Sequence, residues 1–342
     1  MLTASSFMKQ LLKPFFNLAL VIGIGIGLSG CVTTRLPVAS TSPWQAVDLR
    51  TASNPLDVSF ANEKHGFIVG TNRMILETND GGETWQERDL NLQEDDNFRL
   101  ISIDFLGNEG WLAGQPSLVM HSKDAGQTWS KLILDAKLPG EPYMVTALGS
   151  NQAQLATNVG AIYNTKNGGT SWEAEVTDSS GAIRDLRRNH DGDYVSASSL
   201  GNFYASLDAK ENLWKVHQRP SSQRVQTIGF QPNGQLWMVS RGAQIRLNNQ
   251  SDDFESWSKP IIPITNGYGY LDMAWDPNNT IWAAGGNGTL LVSKDAGESW
   301  EIDPVGKTIP TNLNRIIFKQ SDENKPKGFI LGERGNILRW IG

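Results

Sequence analysis

Cysteine is almost absent from this sequence of 342 residues, which contains only Cys31. A single cysteine excludes an internal disulfide in any redox compartment. Histidine is also scarce, and the four histidines lie too far apart for the short spacings of a metal site. We therefore predict neither a metal nor a cofactor. No segment beyond the N-terminus shows the period of an amphipathic helix, which favours an all-β chain.

Strong charge of one sign is missing as well. The formal net charge is −6, and it becomes −8 without residues 1–30, which contain two lysines and no acid. This weakly acidic balance argues against binding to nucleic acid. Residues 181–250 are the exception, because they contain nine basic and five acidic side chains.

Tryptophan, in contrast, is abundant and regularly spaced. Seven of the twelve tryptophans recur at intervals of 41 to 44 residues: Trp44, Trp85, Trp129, Trp172, Trp214, Trp257 and Trp300. Short apolar runs punctuated by glycine precede most of them, as expected for strands. A repeat of this length with about four strands is typical of a β-propeller blade.

Four of these tryptophans end nearly the same turn. The four turns are Thr78–Trp85, Ser122–Trp129, Thr165–Trp172 and Ser293–Trp300. Each has Asp or Asn two residues after Ser or Thr, followed by glycine, and resembles the Asp-box hairpin of sialidases and other β-propellers. The Asp or Asn occupies the same position in four repeats, whereas a catalytic carboxylate would be expected in only one of them. We therefore predict a structural role for these acids.

The two ends of the chain predict a closed ring. The final repeat stops after the run Gly335–Trp340 and lacks one strand, while the run Trp44–Asp48 has no repeat before it. Pairing these two runs removes two exposed sheet edges. We predict an all-β, seven-bladed β-propeller over residues 44–342, closed by the strand around Trp44.

The N-terminal segment contains the one long apolar run. Two lysines precede this run, residues 15–28, and Cys31 follows small residues. The pattern resembles a bacterial lipoprotein signal, which predicts a signal peptide over residues 1–30, a lipid on Cys31 and a lipidated tether over 31–43. An uncleaved transmembrane anchor and ordinary cleavage with a free thiol are the alternatives, and Met8 is a second possible start.

Several arginines recur near the first strand of a repeat. Arg99 and Arg224 each lie six residues before an aromatic of that strand, and Arg184 occupies a nearby position. The loops before these strands converge on one face of a propeller. Guanidinium groups there would attract an acidic, extended protein segment. Pairing of each arginine with a local acid is the alternative.

Longer segments resemble the photosystem II assembly and stability factor family of cyanobacteria and plastids. The likeness spans the mature chain and is carried by Glu109-Gly-Trp-Leu-Ala-Gly114-Gln-Pro116, Gly267-Tyr-Gly-Tyr-Leu-Asp272, Trp282-Ala-Ala-Gly-Gly-Asn-Gly288 and Gly328-Phe-Ile-Leu-Gly332. In that family a propeller on the lumenal side of the thylakoid membrane helps newly made reaction-centre core subunits to assemble. An arginine-rich patch is implicated in holding the client.

The resemblance implies a monomeric, non-enzymatic assembly factor. It would be lipid-anchored on the lumenal side of the thylakoid membrane, with the periplasmic face as an alternative. Its partners would be unassembled photosystem II reaction-centre core protein and early assembly intermediates, and its role would be biogenesis and repair of the photosystem. Partner binding is implied for five arginines: Arg99, Arg184, Arg188, Arg224 and Arg241.

Two other functions remain open from the sequence. A sialidase-like glycoside hydrolase would need a nucleophile and an acid/base beside an arginine cluster. The chain lacks a recognisable sialidase N-terminal arginine motif, and no acid or tyrosine outside the repeat pattern suits those roles. A generic envelope scaffold that binds another exported protein would have the same fold.

Overall fold

The computed structural model describes residues 36–93, 97–134, 139–176, 179–250, 253–263, 267–319 and 326–342. Residues 36–342 form one compact unit. Its regular structure in these ranges is seven antiparallel sheets and two short 3₁₀ helices. Within the same ranges no helix is long and apolar enough to cross a bilayer. Cys31 and the apolar run before it lie outside the described residues.

Strand β1 (Trp44–Asp48) precedes the first complete blade. In each of the next six blades the strands follow one another from the innermost outwards. Blades 1 to 3 contain β2 (Pro55–Phe60), β3 (Gly66–Gly70), β4 (Ile75–Thr78), β5 (Gln86–Glu87); β6 (Arg99–Leu106), β7 (Glu109–Gln115), β8 (Leu118–Ser122), β9 (Ser130–Leu132); and β10 (Pro142–Gly149), β11 (Gln152–Thr157), β12 (Ile162–Thr165), β13 (Glu173–Val176).

The remaining blades repeat this order. Blades 4 to 6 contain β14 (Ile183–Arg188), β15 (Tyr194–Ser198), β16 (Phe203–Asp208), β17 (Leu213–Gln218); β18 (Val225–Phe230), β19 (Leu236–Ser240), β20 (Gln244–Leu247); and β21 (Tyr270–Trp275), β22 (Ile281–Gly285), β23 (Leu290–Ser293), β24 (Glu301–Ile302). Blade 7 contains β25 (Leu313–Lys319), β26 (Lys327–Gly332) and β27 (Asn336–Trp340).

Blade 7 is completed from the other end of the chain. Strand β1 pairs antiparallel with β27, so that Trp44 lies opposite Trp340 and Asp48 lies opposite Asn336. The predicted seven-bladed ring and its closing strand pair are therefore confirmed.

Blade 5 differs from the other blades in its outer edge. Its sheet has three strands, and the place of a fourth is taken by single bridges that join Asn248 to Trp257 and Ile245 to Ile261. Pro260 and Pro263 lie in this outer segment. Proline has no N–H to donate to a ladder, so the segment cannot pair continuously.

The recurring tryptophans pack between neighbouring blades. Trp129 of blade 2 lies 6.2 Å, centroid to centroid, from Phe67 of blade 1 in an edge-on contact. Trp172 of blade 3 contacts Trp111 of blade 2 at 5.9 Å. Such edge-to-face pairs add about 0.5–1.5 kcal/mol to the burial of the rings. The regular spacing of the tryptophans in the sequence therefore reflects one such interface for each blade.

Glycine in the Asp-box turn allows this close packing. Gly82 has a φ of 92°, and a Cβ on it would lie 2.7 Å from the ring of Phe329 in the preceding blade. Any other residue would therefore meet both backbone strain and a steric clash.

The innermost strands share an irregularity that the sequence did not reveal. In all seven blades the register between the inner and the second strand shifts at the same place, as in a β-bulge. In four blades the side chain of the inner-strand residue that follows this shift accepts a hydrogen bond from a backbone N–H of the following blade. These bonds run from Ile103 to Asp57 at 3.0 Å, Val145 to Ser102 at 3.2 Å, Ile228 to Asp185 at 3.2 Å and Ile316 to Asp272 at 2.8 Å.

Replacing Trp44 tests the closure of the ring. The side chain is 3% exposed and contacts the rings of Trp282 at 5.4 Å and Phe318 at 5.6 Å. We expect Trp44→Ala to lower the free energy of unfolding by about 3–5 kcal/mol, measured by chemical denaturation. Gln86→Ala, an exposed change in the outer strand of blade 1, serves as the control. A loss below about 1 kcal/mol would contradict this account of closure.

Candidate functional site

The inner strands all run in the same direction along the ring axis, so the propeller has two distinct faces. We call the face at which these strands begin the start face and the face at which they end the end face. The start face also carries the turns between the second and third strands of each blade. The Asp-box turns follow the third strands, which run parallel to the inner strands, so these turns lie at the end face.

Three of the predicted partner-binding arginines meet on the start face at the junction of blades 4 and 5. The backbone N–H of Arg241 donates to the carbonyl of Arg224 at 2.9 Å. The Arg184 guanidinium donates to the Val225 carbonyl and to Gln226 Oε1, each at 3.3 Å. The side chains of Arg224 and Arg241 are exposed. Neither forms an ion pair in the part of the chain that the structure describes.

Arg99 lies on the same face, as the exposed first residue of β6 in blade 2. Blade 3 separates it from Arg184, and Tyr143 of that blade donates its hydroxyl to the Arg184 carbonyl at 2.9 Å. Burial and the charge of Asp185 raise the pKa of Tyr143 to about 12, while the charges of Arg315, Arg187 and Arg99 oppose the rise. Tyr143 is therefore a neutral hydrogen-bond donor to the backbone of Arg184.

Arg188 is placed elsewhere, so the five predicted residues do not share one face. It is the last residue of β14, at the end face, whereas Arg184 lies near the start of the same strand. Its side chain donates to Gln154 Oε1 at 3.0 Å and to the carbonyl of Asn189 at 3.2 Å. It also lies 5.9 Å from the ring centroid of Tyr194. These contacts assign Arg188 to the packing of blades 3 and 4.

The sequence reasoning missed three further arginines of the start face. Arg73 and Arg334 lie in turns between second and third strands, as Arg241 does, and Arg50 follows β1 close to such a turn. Their backbone φ values are positive, at 59°, 53° and 53°, and Arg73 and Arg334 lie within turns. Alignment of the turns across the repeats, rather than of the first strands alone, would have revealed them.

A buried charge cluster on the innermost strands joins blade 4 to blade 6 past blade 5. Arg187 donates to Asp185 Oδ1 at 3.2 Å and to Asp272 Oδ1 at 2.9 Å, and Asp272 is fully buried. The Thr227 hydroxyl adds a hydrogen bond to Asp185 at 2.5 Å. A cavity of about 860 Å³ continues from here along the axis to the end face.

The two acids of this cluster differ in their electrostatics. Burial alone would raise the pKa of Asp185, but Arg187 and the Thr227 hydroxyl outweigh it and lower the pKa. For Asp272, burial prevails over the attraction of Arg187 and raises the pKa. Arg187 is thus the group that makes the burial of both carboxylates tolerable.

The Asp-box acids are engaged within their own turns. Asp80 accepts from the backbone N–H of Glu83 at 3.0 Å and of Thr84 at 2.9 Å, and from the Thr84 hydroxyl at 2.5 Å. Asp295 forms the same bonds to Ser299. Bonds to Thr84 outweigh burial and lower the pKa of Asp80 to about 2, and bonds to Ser299 do the same for Asp295. Carboxylates held ionised in this way are poor general acids.

His65 and His121 each pair with one glutamate of their own blade. The Nε2 atom of His65 lies 2.6 Å from Glu77, and that of His121 lies 2.6 Å from Glu109. Among the described residues no group of three or more His, Cys, Asp or Glu side chains could hold a metal ion.

Comparison with known proteins gives consistent matches over nearly the whole chain. The family model described as photosynthesis system II assembly factor YCF48 matches residues 36–341. The photosystem II assembly lipoprotein Ycf48 of Parasynechococcus marenigrum (strain WH8102) is 65% identical over 335 residues, covering 98% of this chain and 99% of the relative. Its namesake in Prochlorococcus marinus (strain NATL2A) is 58% identical over 338 residues, covering 98% and 100%.

Solved structures agree with these relatives. A structure described as YCF48 bound to D1 peptide is 40% identical with a TM-score of 0.84, and the match covers 90% of this chain and 99% of that one. YCF48 from Cyanidioschyzon merolae is 34% identical with a TM-score of 0.82, covering 87% and 99%.

Replacing the Asp-box acids tests their structural role. Because the folded pKa values of Asp80 and Asp295 are lowered to about 2, their contribution to stability is present above the unfolded value near 4 and is lost as the pH falls towards 2. We expect the double variant Asp80→Asn/Asp295→Asn to unfold with a shallower dependence on pH between 4 and 2, measured by thermal denaturation.

The chain contains a natural precedent for this change. Asn167 occupies the equivalent position in blade 3, where it accepts from the Ser171 N–H at 3.0 Å and donates to the Ser171 hydroxyl at 2.8 Å. An unchanged pH dependence in the double variant would show that these acids do not control acid unfolding.

Replacing Arg187 tests the buried charge cluster. Arg187→Met leaves the Asp272 carboxylate buried without its cation, so we expect the free energy of unfolding to fall by about 3–5 kcal/mol. The loss should grow from pH 5 to pH 8, because ionisation of an acid with a raised pKa opposes folding more as the pH rises. Arg188→Met is the control, since its partners are neutral and about 1 kcal/mol is expected. Equal losses in the two variants would contradict the assignment.

Proposed function

The chain belongs to the photosynthesis system II assembly factor YCF48 family, and from that membership we propose that it binds newly made photosystem II reaction-centre core protein and its early assembly intermediates. The 40% identical YCF48 that is described as bound to D1 peptide supports a reaction-centre subunit as the client. Promotion of photosystem II biogenesis and repair would follow from holding this subunit until its partners arrive. The role needs no catalysis.

The contact surface would be the start face, through Arg99, Arg184, Arg224 and Arg241. The observation that carries this assignment is the meeting of Arg184, Arg224 and Arg241 at one blade junction, with two of the three side chains exposed and without acidic partners in the described chain. Guanidinium groups placed in this way can form bidentate hydrogen bonds with carboxylates. Arg188 is left out of this surface because it lies at the end face.

The chain would act as a monomer at a membrane surface. We propose cleavage after a signal peptide of residues 1–30, lipidation of Cys31, a tether over 31–43 and a propeller over 44–342. The 65% identical relative is named a lipoprotein, and the sequence before Cys31 fits a lipoprotein signal. Each buried methylene of the acyl chains contributes about 0.8 kcal/mol to anchoring. The lumenal side of the thylakoid membrane is the proposed location.

Neutralising the arginine junction tests the proposed contact. We expect the triple variant Arg184→Gln/Arg224→Gln/Arg241→Gln to recover much less D1 when tagged protein is purified from host membranes and D1 is quantified by mass spectrometry. At about 1 kcal/mol for each lost ion pair, affinity should fall on the order of 100-fold. The remaining binding should depend less on salt.

The matched control removes the same charge elsewhere. Lys123→Gln/Lys166→Gln/Lys210→Gln changes three exposed lysines that lie away from the start face. D1 recovery should be retained in this control. Equal loss in both triple variants would attribute binding to net charge, and full recovery in the arginine variant would exclude the start face as the contact.

A further inference from the structure

The first described residues of the chain are docked on the rim of blade 6. The Pro37 carbonyl accepts from the Ile302 N–H at 2.8 Å, and the Ala39 N–H donates to the Ile302 carbonyl at 2.9 Å. Val38 and Ile302 thus form a parallel bridge beside β24. Leu36 packs into the cluster that also contains Ile261 and Ile302. The tether therefore reaches the ring at the crevice between blades 5 and 6.

The same crevice is bordered by exposed apolar side chains. Val38 is 50% exposed and Ile262 is 53% exposed, and Pro37 and Pro260 are exposed as well. Leu36 and Ile261, which adjoin these residues in the chain, are partly buried and pack against the same core cluster, so the exposed residues border it on two sides. We call Pro37, Val38, Pro260 and Ile262 the rim patch.

The chain length limits how far the rim patch can be from a lipid on Cys31. Five residue steps separate Cys31 from Leu36, and an extended chain spans at most about 3.6 Å per residue. The attachment point therefore lies within about 18 Å of Leu36. A compact unit of the size of residues 36–342 has a radius of gyration of about 19 Å. The opposite rim is therefore about twice this distance away, and it cannot replace blades 5 and 6 at the bilayer.

We propose that the rim patch rests on the lipid surface, with its apolar side chains in the interfacial layer. The proposal rests on the lipidation of Cys31 that is part of the proposed function. Apolar side chains lower their free energy at the boundary of headgroups and acyl chains. With the rim on the bilayer, the ring axis runs roughly along the membrane plane. The start face then opens sideways, towards segments of neighbouring membrane proteins.

Depth-dependent fluorescence quenching in vesicles tests the rim contact. Because lipidation occupies the thiol of Cys31, the only cysteine, a new cysteine can be labelled alone in the full-length lipidated protein. Val38→Cys and Ile262→Cys place a fluorophore on the rim patch. Ile133→Cys is the control, since Ile133 is 94% exposed and lies in blade 2, across the ring. The vesicles contain phosphatidylcholine and phosphatidylglycerol with brominated acyl chains.

We expect at least twofold quenching at positions 38 and 262 and none at position 133. If all three labels respond equally, with Cys31 shown by mass spectrometry to carry its diacylglycerol, the rim contact is overturned and the lipid anchor stands. If Cys31 carries no lipid, it will itself react with the fluorophore, and both the anchor and the rim contact are overturned. The D1 recovery experiment is independent of either result.

Discussion

The pairing of β1 with β27 is the constraint on which the ring depends. It joins residues nearly 300 positions apart and provides blade 7 with its outer strand. Without it, blade 7 would present the unpaired edge of β27, and the core between blades 6 and 7 would lose Trp44. Closure also holds the seven inner strands around one axis, where the Arg187 cluster can join blade 4 to blade 6.

Two kinds of contact hold adjacent blades together within the closed ring. Away from the axis, the repeated tryptophans pack edge-on against rings of the neighbouring blade, as Trp129 does against Phe67. Near the axis, where inner strands do not pair with each other, side chains such as Asp57 and Asp272 accept backbone N–H groups from the next blade. The Asp-box turns belong to the first kind of contact, because their glycine allows close approach. Their acids form hydrogen bonds within the same turns.

The common direction of the inner strands gives the two faces of the ring different sets of turns and side chains. Loops that precede these strands, and turns between second and third strands, bring arginines from different repeats to the start face. Asp-box turns lie at the opposite ends of the blades. A cluster such as Arg184, Arg224 and Arg241 thus requires no special local fold. Residues 36–39 dock on blade 6, and this contact fixes where the N-terminal segment leaves the ring relative to the start face.

The sequence by itself determined the repeat, the seven blades and the closing strand, because the spacing of Trp44 to Trp300 records one interface per blade. It also indicated the family, and it placed Arg99, Arg184 and Arg224 near the beginning of the first strand of a repeat. Only the tertiary structure separated Arg188 from Arg184, because β14 crosses the ring from one face to the other and the two arginines lie near its opposite ends. It alone joined Arg187 to Asp272, 85 residues away. This contact joins side chains of two blades that are not neighbours, and no local sequence pattern records it.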